Sequence, residues 1–374
     1  MGKVKLFFAG DFCSKPSTSY ISVSEELQNL IKSCDVRVVN FEVPLKPEAV
    51  TLPPQGYERF YQHDDVPQFL RNIGFNLFSI ANNHLFDWGE NGYQKTVAAL
   101  GEDCFGAGTY EDAYKVKEVE VGGVKIGFLA LTYAAYTGVF DNVSGHEGLG
   151  CAYINDLKVN HVIIDAKKRL DYLFVLPHDG IEYIDVPLPE TIARYRDFID
   201  YGADGVIAAH PHCPQGWEMY KDRPIFYSLG NFFFNSKEDT LYRAWNRPHW
   251  YEGMCVVLEI ENGHISYSIV NTRNTDNIKL SIDEGEDRTV HNQHLVEYLH
   301  DKDLYDTYLK QVAVNHNFLA IIDKSFHPRT LRKSTKKLFQ CWLMKLRKKD
   351  FTDDFALKTL LRNDSRRNLM MKTL

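Results

Sequence analysis

The segment that decides the fold reads Gly202-Ala-Asp-Gly-Val-Ile-Ala-Ala-His-Pro-His212. Its apolar part, 205–209, has the length and composition of a buried strand, and two histidines follow it directly. On a regular strand an i, i+2 spacing puts His210 and His212 on one face, and Pro211 between them excludes a central, paired strand. A stiff loop that presents two imidazoles in one direction is a suitable metal chelate.

The same pattern, a short apolar run followed by a ligand-type residue, recurs four times in the earlier part of the chain. The runs and the residues that follow them are 4–9 with Asp11, 36–41 with Glu42, 75–81 with Asn83 and His84, and 172–176 with His178. In an open α/β sheet the carboxyl ends of the strands line one crevice, where ligands bind. We therefore expect the five segments to meet at one site. Their mixture of carboxylates, an amide and imidazoles suits one or two divalent metal ions.

The composition is that of a globular protein. Of 374 residues, 44% are hydrophobic, which is enough to bury a sizeable core. The seven cysteines are an odd number and form no C-x-x-C pair, which argues against a disulfide framework and a cysteine-rich zinc site. The N-terminal residues lack the long apolar core of a signal peptide, and no apolar stretch reaches the roughly 18 to 20 residues of a membrane helix. These features predict a cytoplasmic protein.

Charge is distributed unevenly along the chain. Residues 324–374 hold 15 Lys/Arg and 4 Asp/Glu, a net of +11, so the remainder must carry −18 to give the overall −7. This tail contains an apolar stripe at helical spacing, formed by Leu331, Leu338, Phe339, Trp342, Leu343 and Leu346. Such a basic amphipathic helix either contacts a membrane surface or packs on the acidic body or on a second subunit, and we favour packing. Nucleic acid is a poor fit because the acidic body repels phosphates.

Alternating strand-like and helix-like segments up to about residue 270 predict a layered α/β fold. Gly122-Gly123 and Asn262-Gly263 predict two hairpins, and the apolar spacing over 189–201 predicts a helix. After residue 273 the chain is first polar and acidic, then helical and increasingly basic. The predicted division is an α/β domain at 1–272, a linker or long loop at 273–300, and a basic helical C-terminal extension at 301–374.

Several motifs carry a resemblance to a known family. They are Phe8-Ala-Gly-Asp11, Asn40-Phe-Glu42, Ala81-Asn-Asn-His-Leu-Phe-Asp-Trp-Gly89, the run 202–212 quoted above, Gln215-Gly-Trp-Glu218 and Pro224-Ile-Phe-Tyr-Ser-Leu-Gly-Asn-Phe232. In these the chain resembles the CapA-like capsule and poly-γ-glutamate biosynthesis proteins, whose fold is related to that of the calcineurin-like metallophosphoesterases. The resemblance spans roughly residues 3–270. It implies a four-layer αββα sandwich, here with a helical C-terminal extension.

The resemblance also implies a site. Its metal ligands would be Asp11, Glu42, Asn83, His178, His210 and His212. They would hold divalent metal, with two ions of Mn, Fe or Zn as the expected content. His84 would correspond to the histidine that stabilises or protonates the leaving group. Asp87 either orients His84 through its second ring nitrogen or caps a helix that begins near Trp88.

One position departs from the related phosphoesterases, which usually begin with an Asp-x-His pair. Here Cys13 stands at the second position, so the first ion would have fewer ligands, bind more weakly or be absent. We interpret Cys13 as a small buried residue. Asn231 is interpreted as a turn residue beside Gly230. Asn40, Asp179 and Glu182 are weaker candidates for the surroundings of the metals.

The leading functional hypothesis is metal-dependent hydrolysis of a phosphoester or a related bond, with metal-activated water as the nucleophile. The process would be capsule, cell-envelope polysaccharide or poly-γ-glutamate biosynthesis. The substrate would be a small molecule or a polymer with a phosphate or γ-glutamyl linkage. One alternative is hydrolysis of a γ-glutamyl-type amide bond at the same site. Another is a non-catalytic accessory protein of a polymer synthase.

Overall fold

The computed structural model of the protein describes residues 2–48, 59–134, 138, 148–235 and 249–315. Strands and helices alternate along most of this length. The strands are β1 Val4–Ser14, β2 Ser22–Val23, β3 Val36–Phe41, β4 Leu77–Ser79, β5 Cys104–Phe105, β6 Ala107–Gly108, β7 Lys117–Val121, β8 Val124–Thr132, β9 Gly150–Cys151, β10 Tyr172–His178, β11 Gly205–Ile207, β12 Trp217–Tyr220, β13 Arg223–Phe226, β14 Asn231–Asn235, β15 Glu252–Glu261, β16 His264–Thr275 and β17 Lys279–Ile282. The α-helices are α1 Glu25–Lys32, α2 Val66–Ile73, α3 Gly89–Leu100, α4 Tyr110–Ala113, α5 Leu157–Lys167, α6 Pro189–Asp200, α7 Glu286–His300 and α8 Lys302–Asn315.

Most strands belong to two sheets. The larger one has the order β2-β17-β16-β15-β1-β3-β4-β5, with β14 paired to the second half of β1. The smaller one has the order β12-β13-β11-β10-β8-β7. In the larger sheet, residues 4–8 of β1 run antiparallel to β15, and residues 11–14 run parallel to β14. The other edge of β1 pairs with the parallel strand β3. Thus β1 lies in the middle of its sheet, which explains why its sequence is almost continuously apolar.

The two sheets pack face to face. Phe8 of β1 contacts Phe128 of β8 and Phe174 of β10, with ring centroids 6.1 and 5.9 Å apart. Helices α1 and α2 pack against the larger sheet, and their buried residues, such as Leu27, share its core. Helices α5 and α6 cover the smaller sheet through residues such as Tyr195. The predicted four-layer αββα sandwich is confirmed.

The prediction of a linker or long loop at 273–300 is wrong. Strand β16 continues through Thr275, and β17 adds to its edge and pairs with β2 near the beginning of the chain. Helix α7 fills the remainder of this segment. The error has a physical reason: β17 is short and lies near the sheet edge, and among its four residues only Leu280 is buried, so its sequence carries too little apolar alternation to indicate a strand.

Helix α8 begins the predicted C-terminal extension, and residues 316–374, including the apolar stripe of the basic tail, lie outside the described residues. Tyr305 of α8 donates a hydrogen bond to the carbonyl oxygen of Pro187 at 2.6 Å. Tyr305 and Leu309 pack on Ile184 and Leu188 of the loop between β10 and α6. The beginning of the extension is therefore packed on the sandwich. In the part of the chain that the structure describes, no helix is long and apolar enough to cross a membrane.

Candidate metal centre

The six predicted ligands converge where strands of both sheets end. Asp11 lies on β1, and Glu42 and Asn83 follow β3 and β4 of the larger sheet. From the smaller sheet, His178 is the last residue of β10, and His210 and His212 follow β11. None of the six is more than 6% exposed. Their charges and lone pairs are therefore removed from bulk water, and each must find a partner within the protein or in a bound ion.

His178 brings its Nε2 atom to within hydrogen-bonding distance of ligand atoms of two other candidates. The Oδ1 atom of Asn83 lies 2.9 Å from Nε2 of His178. The same Nε2 lies 3.2 Å from Nδ1 of His210. Ligand atoms about 2 Å from a shared ion are about 3 Å apart, so this spacing is that of neighbouring ligands. The pKa of His178 is well below its usual value because of burial and the neighbouring His210, so its ring is neutral, as a metal ligand must be.

Glu42 lies between this group and a second one. Its Oε1 atom is 3.8 Å from Nε2 of His178 and 3.7 Å from Nε2 of His212. On the far side, Nδ1 of His212 is 3.4 Å from Oδ2 of Asp11. One ligand atom from each of Asp11, Glu42 and His212 falls within 4.8 Å of the others. Glu42 therefore lies between the two groups of candidate ligands.

The carboxylate of Glu42 provides the test of whether a metal fits. Within the described parts of the chain, neither of its buried oxygens has a hydrogen-bond partner. Burial raises the pKa of Glu42 well above its usual value. Burial alone would lower the pKa of His212, but the Glu42 and Asp11 carboxylates raise it to about 9. The centre thus draws positive charge to the space beside Glu42. A divalent cation supplies that charge and the missing partner, so the donor set fits a metal.

Asn231 is a site residue that sequence reasoning missed, because Gly230-Asn231 was interpreted as an ordinary turn. It begins β14 and lies in register with Asp11 of β1. Its Nδ2 atom donates to the carbonyl oxygens of His212 and Trp250, so its Oδ1 atom must accept from Nδ1 of His212, 2.9 Å away. This fixes the ring so that Nε2 faces Glu42. The available signal was the position of Asn231 at the break between two strand-like runs that follow the paired histidines.

Asn40, a weak candidate from the sequence, also lies in the centre. Its Nδ2 atom donates to Oδ1 of Asp11 at 2.6 Å and lies 3.1 Å from Nδ1 of His178. The backbone N–H of His210 donates to the other oxygen of Asp11 at 3.1 Å. These bonds lower the orientational freedom of Asp11 and His178, and hydrogen bonds that orient ligands are a regular feature of metal sites.

His84 and Asp87 form the pair that the sequence suggested. The Nδ1 atom of His84 lies 2.9 Å from Oδ2 of Asp87, which also accepts from the backbone N–H of Phe60 at 2.9 Å. Asp87 does not cap α3, because the residue at the cap position is Trp88 and it makes no side-chain cap bond. Of the two roles considered, the structure therefore favours orientation of His84. A proton on Nδ1 leaves Nε2 as the atom that can act on a substrate.

Four non-glycine residues that border the centre have positive φ angles. They are Val43 at 67°, Tyr183 at 67°, His210 at 103° and His212 at 56°. Positive φ is costly for any residue with a Cβ atom, and most of all for a β-branched one such as Val43. Strain of this kind persists only where the surrounding structure imposes it, and it concentrates at functional sites.

The remaining candidates lie around the centre. Cys13 is fully buried against Val43, Phe234 and Trp250, and burial raises the pKa of its thiol. It behaves as the small buried residue that we expected. Glu182 is close enough to raise the pKa values of both Glu42 and His212. Asp179 is buried at 7% exposure.

Comparison with known proteins places the chain in a family. Residues 5–236 match the family model described as bacterial capsule synthesis protein PGA_cap, and this range is more than half of the chain. The chain belongs to the PGA_cap family. The matched range contains every predicted ligand together with His84 and Asp87, and it ends before β15. The strands β15 to β17 and the helices α7 and α8 follow the matched range.

Individual relatives cover part of the chain. The capsule biosynthesis protein CapA of Bacillus anthracis is 33% identical over 180 residues, which are 46% of this chain and 43% of that protein. The PGA biosynthesis protein CapA of Bacillus subtilis strain 168 is 28% identical over 219 residues, 57% of either chain. This PGA_cap chain thus spans about half the length of the curated relatives it matches. A putative 5′-nucleotidase of Staphylococcus aureus superposes with a TM-score of 0.46 at 15% identity, over 80% of this chain and 58% of that one.

Proposed function

We propose that the protein is a metal-dependent hydrolase of a phosphoester or a chemically related bond, acting in capsule or cell-envelope polymer biosynthesis. The observation that carries the proposal is the buried carboxylate of Glu42, which has no hydrogen-bond partner among the described residues and faces the nitrogens of His178 and His212. A carboxylate in that setting is stabilised by a cation. The PGA_cap family supports the biological process.

Two groups of residues would hold the metal. Asn83, His178 and His210 form one, Asp11 and His212 form the other, and Glu42 lies between them. We propose that two divalent ions bind here and that they are Mn, Fe or Zn. A bound ion of this kind would act as a Lewis acid and lower the pKa of water toward neutrality. The protein itself fixes the geometry: Asn231 holds the ring of His212, and Asn40 holds Asp11 and His178. Related phosphoesterases usually have a histidine ligand where this chain has Cys13. The Asp11 group would therefore have one donor fewer than the matching group in those enzymes.

His84 would deliver a proton to the leaving oxygen. Its Nδ1–H bond to Asp87 would hold the ring in one orientation, with Nε2 as the atom that donates the proton. Asp87 receives a second bond from the backbone of Phe60, whose ring also packs on His84 with centroids 5.0 Å apart. The pair therefore has the construction of an oriented general acid.

A second candidate function is hydrolysis of a γ-glutamyl-type amide. It is favoured by the relative named as a PGA biosynthesis protein, since a polymer of glutamate offers amide bonds and no phosphoester. The same donor set would polarise a carbonyl oxygen. A third candidate, a non-catalytic accessory protein of a polymer synthase, keeps the fold without turnover.

The test combines metal analysis with turnover. The purified protein, the His210→Ala variant and a control, His161→Ala on the exposed side of α5, would be analysed for Mn, Fe and Zn. Each would be assayed with a phosphomonoester, a phosphodiester and a γ-glutamyl amide. We expect phosphoester hydrolysis in the wild type and in His161→Ala. In His210→Ala we expect hydrolysis to be lost and the metal content to be lower than in the other two proteins, because the ions of the Glu42 centre are lost.

Other outcomes separate the candidates. Bound metal with cleavage of the γ-glutamyl amide alone would replace the first proposal by the second. A protein that binds no ion, even when Mn²⁺ or Zn²⁺ is supplied, would exclude both hydrolases and leave the accessory role.

A further inference from the structure

A second cluster of metal-ligand residues lies outside the centre described above. Asp185 comes from the loop between β10 and α6, His249 precedes β15, and His291 lies on α7. One ligand atom from each falls within 4.8 Å of the others. All three side chains are partly buried, with exposures of 15%, 27% and 17%. An ion could therefore reach the cluster from solvent and still be shielded by protein.

The imidazole rings of His249 and His291 lie nearly parallel to each other. They stack with centroids 3.9 Å apart and an angle of 16° between the planes. Glu252 lies beside both: its Oε2 atom is 2.8 Å from Nδ1 of His249, a hydrogen-bonding distance, and 3.7 Å from Nδ1 of His291, which is too long for a hydrogen bond. A carboxylate that accepts from the far nitrogen of a histidine is the usual support of a metal ligand, because it leaves Nε2 free to coordinate.

The atoms that remain for an ion are Nε2 of each histidine and the carboxylate of Asp185. Nε2 of His291 is buried and has no hydrogen-bond partner among the described residues, and it lies 3.8 Å from Oδ2 of Asp185. That separation is too long for a hydrogen bond and suits two ligands of one ion. The other oxygen of Asp185 accepts a hydrogen bond from Tyr308 of α8, which holds the carboxylate in place.

The charges around the cluster are balanced by arginines on the side away from Asp185. Arg288 is buried, and its Nη1 atom lies 2.9 Å from Oε2 of Glu252 and 2.8 Å from Nδ1 of His291. Arg273 also pairs with Glu252, at 3.3 Å, and with Asp283, at 2.8 Å. With an ion on Nε2, the proton of His291 would sit on Nδ1 and turn to Glu252. The Arg288–His291 contact would give way, while Arg288 keeps its bond to the same carboxylate.

We propose that Asp185, His249 and His291 form a third metal site, for a borderline divalent ion such as Zn²⁺, separate from the centre at Glu42. Two imidazoles and one carboxylate are a donor set that Zn²⁺, Co²⁺ and Ni²⁺ share, with a remaining position for water. The ion would fasten α7 to two segments of the sandwich. One of these carries Tyr183 and the other Trp250, whose rings pack on His212 at 5.9 and 5.1 Å.

The test is a Zn²⁺ titration of the metal-stripped full chain against a chromophoric chelator. The variants are His249→Ala and His291→Ala, with His294→Ala as the matched control, an exposed histidine of α7 that pairs only locally with Glu297. We expect each of the first two to bind one Zn²⁺ equivalent fewer than the wild type, and the control to bind the same number. Glu252→Gln should weaken that equivalent about 10- to 100-fold, as loss of a supporting carboxylate does.

Two further measurements keep the result unambiguous. The equivalent should persist in His210→Ala, which disables only the other centre, so failure of the proposed function and failure of this site are distinguishable. Asp185→Asn keeps an acceptor for Tyr308 and replaces the histidine variants if their circular dichroism shows that they do not fold. Equal Zn²⁺ stoichiometry in the wild type and in every folded cluster variant would overturn the proposal and leave the cluster as a hydrogen-bonded network.

Discussion

At the scale of single residues, Glu42 is the side chain whose environment demands a partner most strongly. Both of its oxygens are buried without a hydrogen bond from the described residues, and burial raises its pKa. The same side chain therefore opposes folding of the metal-free protein and favours folding of the metal-loaded one. This opposition distinguishes a ligand from an ordinary buried acid.

We predict that Glu42→Gln weakens metal binding without destabilising the metal-free protein. Loss of a residue that only hydrogen-bonds to a metal ligand can lower metal affinity by about 100-fold. Glu42→Gln removes a ligand itself, so its metal affinity should fall by more than that. The metal-free variant should be at least as stable as the metal-free wild type, since a buried charge is gone. Thermal unfolding with and without Mn²⁺ measures both. Glu111→Gln, at an exposed position of α4, is the control. A metal-induced rise in melting temperature that survives in Glu42→Gln would exclude Glu42 as a ligand.

We predict a leaving-group effect for His84→Gln. If Nε2 of His84 protonates the leaving oxygen, the variant should lose about 100- to 10,000-fold in kcat/KM with an alkyl phosphodiester. With a 4-nitrophenyl ester, whose leaving group needs no proton, the loss should be much smaller. Asp87→Asn should show the same pattern more weakly. Equal losses with both substrates would show that His84 binds the substrate without donating a proton.

The sequence was sufficient to select the six candidate ligands, because each follows a strand-like run and the ends of parallel strands meet in space. The structure brings all six ligands together, and their role as ligands stays a prediction. Asn231 was missed for a physical reason. Its contact with His212 depends on the pairing of β14 with β1, two strands about 220 residues apart in the chain, and local turn chemistry carries no signal of that register.

At the scale of elements, local signals were reliable where short-range geometry decides the outcome. The Gly122-Gly123 and Asn262-Gly263 hairpins are present as β7–β8 and β15–β16, because both turns place residues at positive φ that glycine and asparagine tolerate. The predicted helix at 189–201 is α6, from Pro189 to Asp200. The segment at 273–300 was not predictable in this way, since β17 is held by its neighbours β16 and β2 rather than by its own sequence.

Helix α6 is joined to the smaller sheet by a partly buried ion pair, in which the Glu218 side chain is buried and the Arg196 side chain is partly exposed. Arg196 donates to both oxygens of Glu218 on β12, at 2.8 and 2.7 Å, and Tyr227 donates to Oε1 at 2.6 Å. Burial would raise the pKa of Glu218, but the bonds from Arg196 and Tyr227 lower it below 4.5. A lowered folded-state pKa stabilises the fold above the unfolded-state value of about 4.3, and that stabilisation is lost as the pH falls through the folded-state pKa.

We predict that Glu218→Gln lowers the free energy of unfolding by about 1.5 to 3 kcal/mol at pH 7, the range for hydrogen bonds to charged groups. The difference between wild type and variant should shrink as the pH falls from the unfolded-state value of about 4.3 through the lowered folded-state pKa of Glu218. Urea unfolding between pH 3 and 7 measures it, with Glu261→Gln at an exposed position of β15 as the control. A difference that is constant over this range would mean that the charge of Glu218 contributes nothing.

At the scale of the whole molecule, the four layers followed from the family resemblance and from the alternation of strands and helices. The assignment of strands to two sheets did not follow from the residues, because both β3 and β10 read as the same kind of apolar run. The basic tail at 324–374 is still a matter of prediction. The tail carries a net charge of +11 and the remainder of the chain −18. Attraction of the tail to the acidic remainder, in the same chain or in another copy, would therefore compete with its attraction to an anionic membrane surface.

We predict that the tail prefers the protein to a membrane. The full chain should not sediment with vesicles that contain phosphatidylserine at 0.15 M salt, and it should resemble a chain truncated after residue 315 in this assay. Sedimentation of the full chain alone, abolished by higher salt, would instead show that the tail is a membrane-binding element.

The central place of β1 has a consequence for biosynthesis. Val4 pairs with Ile260, so this strand leaves the ribosome some 250 residues before the partner on its antiparallel edge. At 5 to 20 residues per second the delay is roughly 10 to 50 s. Throughout that time one edge of a central, largely buried strand of the larger sheet is unpaired, and such edges recruit other chains. We therefore expect nascent chains to aggregate less when chaperones are abundant, and yield on overproduction to rise with chaperone supply.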